Sequence, residues 1–355
     1  MKKISIGVLF GGKSTEHDVS IVSATSIIEN MNKQKYNIIP FYIEKDGTWY
    51  KYTKDINEIH ILKLGEKLDS LQKLDNVFLA LKECDVVFPV LHGKNGEDGT
   101  VQGIFETLKI PYVGCGILSS SVGMDKVYSK IIFERAGIKQ TPYEYVQKKD
   151  QKYVYINKNF EEEEISLEEI CNKVQTKLNY PMFIKPSNSG SSVGIKKAHN
   201  LEELANAIEF ASQYDYKILI EQGINGKEVE CAVLGNNTIL ASCIGEIIPA
   251  EDYYSFDAKY NNVDSITQIP ANIKEEQSTK IKEYAKKAFK AIDGKGLARV
   301  DFFIENETGE IYINEINTMP GFTNISMYPQ LMKKEGITYI DLLDRLIDLA
   351  LEKNI

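Results

Sequence analysis

Two short segments in the last fifth of the chain carry charged and polar side chains at alternating positions. They read ARVDFFIE and EIYINEIN, and the turn sequence NETG between them predicts a β-hairpin. Since side chains alternate across a strand, Arg299 and Asp301 share one face, and Glu315 and Asn317 share one face of the second strand. If these faces coincide, Asp301, Glu315 and Asn317 form a cluster of oxygen ligands suited to Mg²⁺. Two surface strands with ordinary polar residues explain the pattern equally well.

Lys185 is a second candidate, because it ends the apolar strand sequence YPMFIKP and precedes the small-residue loop SNSGSSVG. Such a loop can fold over phosphate groups through its backbone N–H groups, with the lysine as a positive charge. A flexible Gly/Ser linker is the alternative, but the predicted apolar strands on both sides disfavour it. Lys126, in GMDK, offers a second cation. Glu221 and Glu228 lie at the ends of two adjacent predicted strands. There they could accept hydrogen bonds from an adenine amino group and a ribose hydroxyl.

The stretch GVLFGGKST (residues 7–15) fits the phosphate-binding pattern G-x-x-x-x-G-K-[ST]. That pattern requires its four variable residues to lie in a loop after a strand. Here ISIGVLF reads as a buried strand of a parallel sheet, which places Gly7 inside the strand and leaves only GGKS as a loop. We therefore interpret the match as fortuitous, and we expect Lys13 to lie on a solvated loop.

The elements that must position these residues change in character along the chain. The first part alternates strand and helix patterns: a strand over 4–10, a helix over about 19–31, the strands YNIIPFYI and CDVVFPVL, the helix TVQGIFETL and the segment IPYVG. The segment KDGTWYKYTKD reads as a strand pair or excursion. This alternation predicts a doubly wound α/β domain that ends near residue 118.

The later part is rich in predicted strands. QKKDQKYVYINKNFEEEE reads as a surface hairpin and loop, and its acidic run, Glu161 to Glu164, as a solvated face and not a metal site. Asn200 is expected to cap the helix that follows, with Glu203 three residues after it. KILIEQ, KEVECAVLG and TILASCIGEII predict antiparallel strands, followed by a helix from about 275 to 292 and an amphipathic helix at the carboxyl end.

Composition bounds the class of protein. The chain has 355 residues, of which 43% are hydrophobic and 26% charged, as in globular proteins of two or three domains. The net charge of −9 argues against nucleic acid or an anionic membrane as the main partner. The five dispersed cysteines contain no C-x-x-C pair and are expected to be reduced thiols. The absence of a signal-peptide pattern and of a long apolar run predicts a cytoplasmic protein.

Seven motifs, spread over nearly the whole chain, resemble those of one family in the family's order. They are GGKSTEHDVS, LHGKNGEDGTVQG, GMDK, FIKPSNSGSSVG, DAKY, ARVDFF and NEINTMPGFT. Together they resemble the ATP-grasp ligases, and within them the D-alanine–D-alanine ligases. The resemblance implies an N-terminal doubly wound α/β domain (1–118) followed by a two-lobed ATP-grasp fold of mixed α/β and α+β class, with lobes at 119–216 and 217–355. It also implies ligation of two D-alanines through a D-alanyl phosphate, for peptidoglycan precursors.

The same resemblance assigns roles to individual positions. Glu16 matches the carboxylate that holds the ammonium of the first D-alanine, and His92 lies near that amino acid. Ser191 and Tyr260 match a hydrogen-bonded relay to this glutamate, with Tyr260 and Lys259 on the predicted mobile loop PAEDYYSFDAKYNN. The implied contacts to ATP are Lys126, Lys185, Ser191, Ser192, Glu221, Gln222, Ile224, Glu228 and Lys259. Gln222 is a departure, since many relatives carry a lysine that faces adenine at this position.

The remaining implied roles concern the metal and the second substrate. Asp301, Glu315 and Asn317 match the ligands of two Mg²⁺ (or Mn²⁺) ions. Arg299 and the backbone at Gly321 match the oxyanion site. Ser326 matches the residue that receives the carboxylate of the second D-alanine, and Met327 lines the pocket for its side chain. The family's enzymes are commonly homodimers.

Two other functions are compatible with much of this pattern. A vancomycin-resistance type ligase would make D-Ala–D-Ser or D-Ala–D-lactate. Tyr260 argues against a lactate enzyme, in which a histidine replaces the tyrosine, and Met327 stands where D-Ser enzymes tend to have an arginine. A non-catalytic nucleotide-binding protein is the second alternative, and the complete set of charged site residues argues against it.

Overall fold

The computed structural model describes residues 3–150, 152–248, 266–323 and 325–352. Within them the chain forms three β-sheets covered by helices. The predicted loop that carries Lys259 and Tyr260 lies outside the described residues. The mixed α/β architecture with three sheets agrees with the predicted fold class.

The first sheet holds five strands in the order β4-β3-β2-β1-β5. They are β1 (Ile4–Gly11), β2 (Tyr36–Ile43), β3 (Trp49–Tyr52), β4 (Leu71–Lys73) and β5 (Val86–Pro89). β1 runs parallel to β2 and β5, while β3 and β4 add antiparallel strands at one edge, as the predicted excursion requires. The segment IPYVG makes only a single parallel bridge, between Val87 and Tyr112, and is not a strand.

Helices cover both faces of this sheet, so the doubly wound prediction is confirmed. α1 (His17–Asn30) packs with Ile6 and Val8 of β1 on one face. α2 (Val77–Leu81) and α3 (Thr100–Leu108) pack with Leu9 on the other. Successive side chains of β1 point to opposite faces of the sheet and are buried on both, so each face is covered by helices.

The interpretation of GVLFGGKST as a false phosphate loop is also supported. Gly7 lies within β1, where a Cβ would come within 2.7 Å of the Cys84 sulfur, so glycine permits this close packing. Lys13 is exposed on the loop that follows. All five cysteines are free thiols, and four of them are buried.

The second sheet is antiparallel and has the order β10-β9-β11-β6-β7-β8. Its strands are β6 (Tyr143–Lys149), β7 (Lys152–Ile156), β8 (Glu162–Ile165), β9 (Met182–Pro186), β10 (Lys196–Ala198) and β11 (Lys217–Gln222). The predicted boundary between the lobes, at residue 216, would separate β11 from this sheet. The structure instead pairs β11 with β6 and β9, so the sheet continues to Gln222.

Four helices follow α3 before β11, and only the last of them is expected from the sequence. They are α4 (Ile117–Met124), α5 (Lys126–Arg135), α6 (Leu167–Gln175) and α7 (Leu201–Ala211). α6 and α7 pack against the second sheet, whereas α4 packs against the strand Ile311–Asn317 of the third sheet. Asn200 caps α7 as expected, since its side chain accepts a hydrogen bond from the Glu203 N–H at 2.9 Å. The acidic run lies at the edge strand β8 and is exposed, with surface ion pairs such as Glu164–Lys152.

The third sheet, also antiparallel, has the order β14-β13-β12-β15-β16. Its strands are β12 (Gly226–Gly235), β13 (Ile239–Ile248), β14 (Ile266–Gln268), β15 (Gly296–Glu305) and β16 (Ile311–Asn317). The hairpin predicted from ARVDFFIE and EIYINEIN is β15–β16. α8 (Glu275–Ala291) covers one face through Ile281, Ala285 and Phe289.

The first and third sheets share a hydrophobic core. α9 (Met327–Lys334) and α10 (Tyr339–Glu352) lie between them and pack against both α1 and the Ala232–Leu234 region of β12. Tyr36 on β2 donates a hydrogen bond to Asp344 on α10 at 2.7 Å. In the part of the chain that the structure describes, no helix is both long and apolar enough to cross a bilayer.

Candidate active site

A cavity of about 820 Å³ opens between the three sheets. Loops that follow strands of the N-terminal sheet supply Glu16 and His92, the second sheet supplies Lys185 and Glu221, and the third supplies Arg299 and Glu315. This volume lies within the range typical of small-molecule sites, about 300–1,000 Å³. A site formed by three separate layers can hold more than one substrate at once.

Glu16 and Ser191 meet in this cavity although 175 positions separate them in the chain. Glu16 directly precedes α1 and is only 8% exposed. The Ser191 hydroxyl donates to Glu16 Oε1 at 2.5 Å, a short charge-assisted hydrogen bond. Ser191 and Ser192 both have positive φ values, 47° and 60°. Such conformations are uncommon for residues other than glycine and concentrate at functional sites.

Lys126 connects the small-residue loop to the hairpin. It is the first residue of α5, where Asp125 caps the helix by accepting from the N–H groups of Val127 and Tyr128. The Lys126 ammonium donates to the Ser189 carbonyl at 2.6 Å and lies 3.6 Å from Glu315 Oε2. The predicted cation therefore stands at the loop that is expected to cover phosphate groups.

Glu221 is engaged by two lysines. Its Oε2 pairs with Lys185 at 2.6 Å and its Oε1 with Lys130 at 2.5 Å, and Thr141 donates to Oε1 at 2.8 Å. Burial by itself would raise the pKa of Glu221, but the two ammonium groups outweigh it and hold that pKa well below its usual range. The carboxylate is thus directed at cations, and its predicted contact with an adenine amino group stays a prediction.

Lys130 was not singled out from the sequence, although its side chain is 2% exposed. Burial lowers its pKa, and the Glu221 charge only partly offsets this. The group of Lys130, Glu221 and Lys185 carries a net positive charge, which favours an anion beside Lys185. The four-residue spacing of Lys126 and Lys130 on one helix was the sequence signal that both point to the same side.

Gln222 ends β11, Ile224 lies in the connection between β11 and β12, and both line the cavity. The Gln222 side-chain oxygen accepts a hydrogen bond from the Asn179 N–H at 3.0 Å, and the Gln222 backbone N–H donates to the Pro142 carbonyl. Glu228 follows at the start of β12 and also lines the cavity. The three predicted nucleotide contacts therefore share one wall, at the junction of two sheets.

The two faces of the hairpin coincide, as the metal hypothesis requires. Arg299 pairs with Asn317, and Asp301 pairs with Glu315, across β15 and β16. Arg299 donates to both Asp301 oxygens, at 2.8 and 2.7 Å, and the Asn317 amide donates to Asp301 at 3.0 Å. Asp301 is 3% exposed and does not reach the cavity wall, whereas Arg299, Glu315 and Asn317 do.

Glu230 is a second partner of Arg299 that sequence reasoning missed. Its Oε2 lies 2.9 Å from Arg299 Nε, and the side chain is 4% exposed. Burial would lower the pKa of Arg299, but Asp301 and Glu230 raise it well above its ordinary value. Glu228 and Glu230 alternate on β12, and the register that pairs Glu230 with Asp301 brings this residue to Arg299.

The donor set of the hairpin has the chemistry of a hard-cation site. It offers two carboxylates and one amide oxygen, the ligand types that Mg²⁺ and Mn²⁺ take in proteins. Within residues 3–150, 152–248, 266–323 and 325–352, no group of three or more His, Cys, Asp or Glu side chains is arranged as a metal site. The fit therefore rests on Asp301, Glu315 and Asn317 together, with the amide as the third ligand.

His92 has both ring nitrogens engaged. Nδ1 lies 3.0 Å from the Met319 carbonyl oxygen, and Nε2 lies 3.1 Å from the Ser23 hydroxyl. Burial lowers the pKa of His92, although the nearby Glu16 charge opposes this.

Glu97 contacts the same residue, Met319, and could not be singled out from the sequence. Its carboxylate accepts hydrogen bonds from the Met319 and Gly93 N–H groups at 2.9 and 2.8 Å. Burial, reinforced by the Glu16 charge, raises the pKa of Glu97 to about 8.

The segment between β16 and α9 carries the remaining predicted residues. A Cβ on Gly321 would lie 3.1 Å from Ser326 Oγ, so the two predicted sites adjoin. The Ser326 hydroxyl accepts from the Thr323 N–H at 3.0 Å. Met327 begins α9, is 7% exposed and lines the cavity.

The structure thus brings most of the predicted site residues to one cavity. Those on its wall are Glu16, His92, Lys126, Lys185, Ser191, Ser192, Glu221, Gln222, Ile224, Glu228, Arg299, Glu315, Asn317, Gly321, Ser326 and Met327. Asp301 lies behind the wall, held by Arg299. Tyr260 and Lys259 lie outside the described residues.

Two family profiles match this chain. One, described as the D-ala D-ala ligase N-terminus, matches residues 5–115. The other, described as the D-ala D-ala ligase C-terminus, matches residues 132–348. Together they span the three sheets that form the cavity.

Individual proteins are similar over almost their full length. The D-alanine–D-alanine ligase of Acetivibrio thermocellus is 50% identical, with 98% of this chain and 95% of the relative covered. Among solved structures, the VanG D-Ala:D-Ser ligase of Enterococcus faecalis is 38% identical with a TM-score of 0.84, covering 98% of this chain and 100% of that one. The D-alanine–D-alanine ligase of Coxiella burnetii is 32% identical with a TM-score of 0.82, covering 100% and 95%.

Proposed function

This chain belongs to the D-alanine–D-alanine ligase family, and we propose that it joins two D-alanines into D-alanyl-D-alanine while ATP is cleaved to ADP and phosphate. The observation that carries the proposal is the Glu16–Ser191 pair at a cavity that also presents Lys126, Lys185 and Arg299. A carboxylate facing the cavity suits the ammonium of an amino acid, and the cations suit phosphate and carboxylate groups. The product would serve peptidoglycan synthesis.

The positions of the charged side chains support a reaction in two chemical steps. In the first, a carboxylate oxygen of the first D-alanine attacks the γ-phosphorus of ATP, the bond to the β-phosphate oxygen breaks, and ADP leaves. Lys126 and Lys185 stand at the small-residue loop, where transferring phosphoryl oxygens would lie. Fixed positive charge and backbone N–H groups stabilise the negative charge of such a transition state.

In the second step, the amine of the second D-alanine attacks the carbonyl carbon of the acyl phosphate. A tetrahedral oxyanion forms, and phosphate leaves as the peptide bond is completed. Arg299 and the N–H of Gly321 are the proposed donors to that oxyanion. The attacking amine must lose a proton, and the proposed acceptor relay runs through Ser191 and Glu16 with Tyr260.

Magnesium or manganese is proposed at Asp301, Glu315 and Asn317, whose oxygen donors share one face of the hairpin. When bound, two such ions would neutralise phosphate charge and orient the nucleotide. Lys259 and Tyr260 are proposed to close over the site and exclude water, which would otherwise hydrolyse the acyl phosphate. We further propose a cytoplasmic homodimer.

A D-Ala–D-Ser ligase is the second candidate, because the VanG D-Ala:D-Ser ligase matches this chain over nearly all of both lengths. Met327 supports D-alanine over D-serine as the second substrate. This residue lines the cavity, and its sulfur packs so closely against Gly245 that a Cβ there would come within 2.5 Å of it. An apolar sulfur offers a poor partner for the D-serine hydroxyl, which favours D-alanine.

The test is the identity of the product. Purified protein with ATP, Mg²⁺ and D-alanine is expected to release ADP only when D-alanine is present, and mass spectrometry is expected to detect the dipeptide. L-Alanine serves as the matched control substrate. ATP cleavage without a dipeptide, or no dependence on D-alanine, would contradict the proposed function.

A further inference from the structure

Met319 is held at both of its backbone polar groups by side chains from the N-terminal domain. Its N–H donates to Glu97 Oε1 at 2.9 Å, and its carbonyl oxygen lies 3.0 Å from His92 Nδ1. These contacts span 222 and 227 positions of the chain. Met319 lies two residues before Gly321, with only Pro320 between them.

The hydrogen bonds of His92 can be assigned from its partners. A carbonyl oxygen only accepts, so Nδ1 must carry the proton that it donates to Met319. Burial keeps the ring neutral by lowering its pKa, so Nε2 carries a lone pair and accepts from the Ser23 hydroxyl. Neither nitrogen is left to bind an amino-acid substrate or to transfer its proton.

Glu97 links two loops. Its Oε1 takes the Met319 N–H, and its Oε2 takes the Gly93 N–H at 2.8 Å. Gly93 directly follows His92, so the two side chains that hold Met319 arise from one short segment of the N-terminal domain. That segment also faces Glu16, since a Cβ on Gly93 would lie 2.7 Å from Glu16 Oε2.

We propose that Glu97 and His92 are positioning residues that clamp Met319 and so set the direction of the Gly321 N–H toward the reacting carbonyl. The proposal rests on the proposed ligase function, in which that N–H stabilises the oxyanion. The two residues act through the backbone of Met319 and are not required to touch substrate.

The covalent connection from the clamp to Gly321 is short and stiff. Proline fixes φ at Pro320, which limits how far the next peptide can turn when Met319 is held. The Met319 side chain is 4% exposed, so packing restrains it as well. Since Gly321 adjoins Ser326, a rotation of this segment would move the site for the second carboxylate together with the oxyanion donor.

Paired substitutions at His92 separate positioning from direct chemistry. The side-chain amide nitrogen of His92→Asn lies near the place of Nδ1 and can donate to Met319, whereas that of His92→Gln lies nearer the place of Nε2. The clamp predicts that His92→Asn keeps most of the wild-type kcat, while His92→Gln lowers it. A role in proton transfer or substrate binding predicts that both variants fail alike.

Paired substitutions at Glu97 test the other half of the clamp. Glu97→Gln keeps one oxygen for the Met319 N–H, whereas Glu97→Ala keeps none. We expect Glu97→Ala to lower kcat by about 10²-fold, the usual effect of displacing or removing one oxyanion donor, with little change in KM for ATP. The kcat of Glu97→Gln is expected to lie between those of Glu97→Ala and the wild type.

Tyr36→Phe is the matched control, because it also removes a hydrogen bond between the N-terminal sheet and the C-terminal helices. In the wild type the Tyr36 hydroxyl donates to Asp344 at 2.7 Å, and Tyr36 does not line the cavity. We expect this variant to lose some thermal stability and to keep its kcat. A kcat loss in Tyr36→Phe equal to that in Glu97→Ala would attribute both effects to general loosening and overturn the positioning role.

Amide hydrogen exchange of the Met319 peptide provides a readout that needs no turnover. Glu97→Ala and His92→Gln are expected to speed exchange there, and His92→Asn is expected to leave it slow. Faster exchange without loss of kcat, or loss of kcat without faster exchange, would overturn the proposal. If the wild type formed no dipeptide, the proposed ligase function would fall, and the exchange data would still decide whether the clamp exists.

Discussion

Lys13 and Lys185 are lysines beside glycine-rich loops, yet their surroundings differ completely. Lys13 is exposed after β1, whereas Lys185 ends β9 inside the cavity and pairs with Glu221 at 2.6 Å. We expect Lys185→Ala to weaken ATP binding roughly 10- to 100-fold, since a hydrogen bond to a charged group contributes about 1.5–3 kcal/mol. Lys13→Ala is the matched control and is expected to leave the affinity unchanged. Titration calorimetry with ATP measures both, and the reverse ranking would restore the phosphate-loop reading of GVLFGGKST.

Individual site residues could be predicted from the sequence where the groups that act together lie within one motif. Lys185 and Ser191 belong to one strand and loop, so their proximity is local. Lys130 and Glu230 were missed because their partners lie far away in the sequence; the spacing from Lys126 indicates only the side of the helix on which Lys130 lies. Lys130 pairs with Glu221 from a different element, and Glu230 reaches Arg299 only through the register of β12 and β15.

The hairpin β15–β16 is the element on which the metal proposal depends. The register places Asp301 opposite Glu315, where Arg299 at Asp301 and Lys126 at Glu315 offset part of the repulsion between the two carboxylates, and a bound metal ion would offset the rest. We expect Asp301→Asn and Glu315→Gln each to lower ligation by about 10²-fold or more, because metal-assisted charge stabilisation is lost. Circular dichroism is expected to show an unchanged fold.

Glu307→Gln is the control for the same hairpin. Glu307 is exposed in the turn between the two strands, so the change from acid to amide there is expected to leave ligation intact. Wild-type turnover by Asp301→Asn or Glu315→Gln at ordinary Mg²⁺ concentrations would refute the metal assignment. An equal loss in Glu307→Gln would instead point to a general effect of hairpin charge.

Elements with clear periodicity could be predicted, and elements defined by tertiary contacts could not. The hairpin and the parallel strands β1, β2 and β5 follow from alternation and apolar runs. α4 has the sequence ILSSSVGM, whose serines give no helical signal, and its Ser119 and Ser120 are buried by neighbouring elements. The sheet to which β11 belongs is defined only by its pairing with β6 and β9, which the sequence does not show.

At the scale of the whole molecule, the first sheet, the third sheet and the last two helices share one core. Burial of charge between these layers makes stability depend on pH. The pKa of Glu97 is raised from 4.5 to about 8, so the folded state retains a proton that the unfolded state has lost between these values. The stability contributed by neutral Glu97 is therefore fully present below about pH 4.5 and is lost as pH rises through about 8.

Glu97→Gln removes this titration, so the pH dependence of Tm should differ between the variant and the wild type. We expect the wild-type Tm, relative to that of Glu97→Gln, to fall between about pH 5 and pH 8 and then to level off. His92 and the other titrating groups are common to both proteins, so most of their contribution cancels in the difference. Differential scanning calorimetry across this range measures it, and parallel Tm curves would show that the pKa of Glu97 is not raised.

The relative placement of the layers was beyond sequence reasoning for a physical reason. The apolar faces of α9 and α10 can be read from their spacing, but the core that buries them combines residues of β1 and α1, about 300 positions earlier, with residues of β12. The contacts to Met319 could not be predicted for the same reason. Its partners, Glu97 and His92, meet it only after the N-terminal domain has docked.

The identity of the second substrate is the central claim, and a competition assay tests it most directly. With ATP, Mg²⁺ and D-alanine as the first substrate, D-alanine, D-serine and D-lactate are supplied together at neutral pH, and the products are quantified by mass spectrometry. If the second substrate lies beside Met327 as proposed, the thioether would leave the D-serine hydroxyl without a strong polar partner, at a cost of about 1–3 kcal/mol, which corresponds to roughly 10- to 100-fold discrimination. D-alanyl-D-alanine is therefore expected to dominate. A yield of D-Ala–D-Ser equal to or above it would contradict the assignment from Met327, and D-Ala–D-lactate as a major product would contradict the assignment from Tyr260.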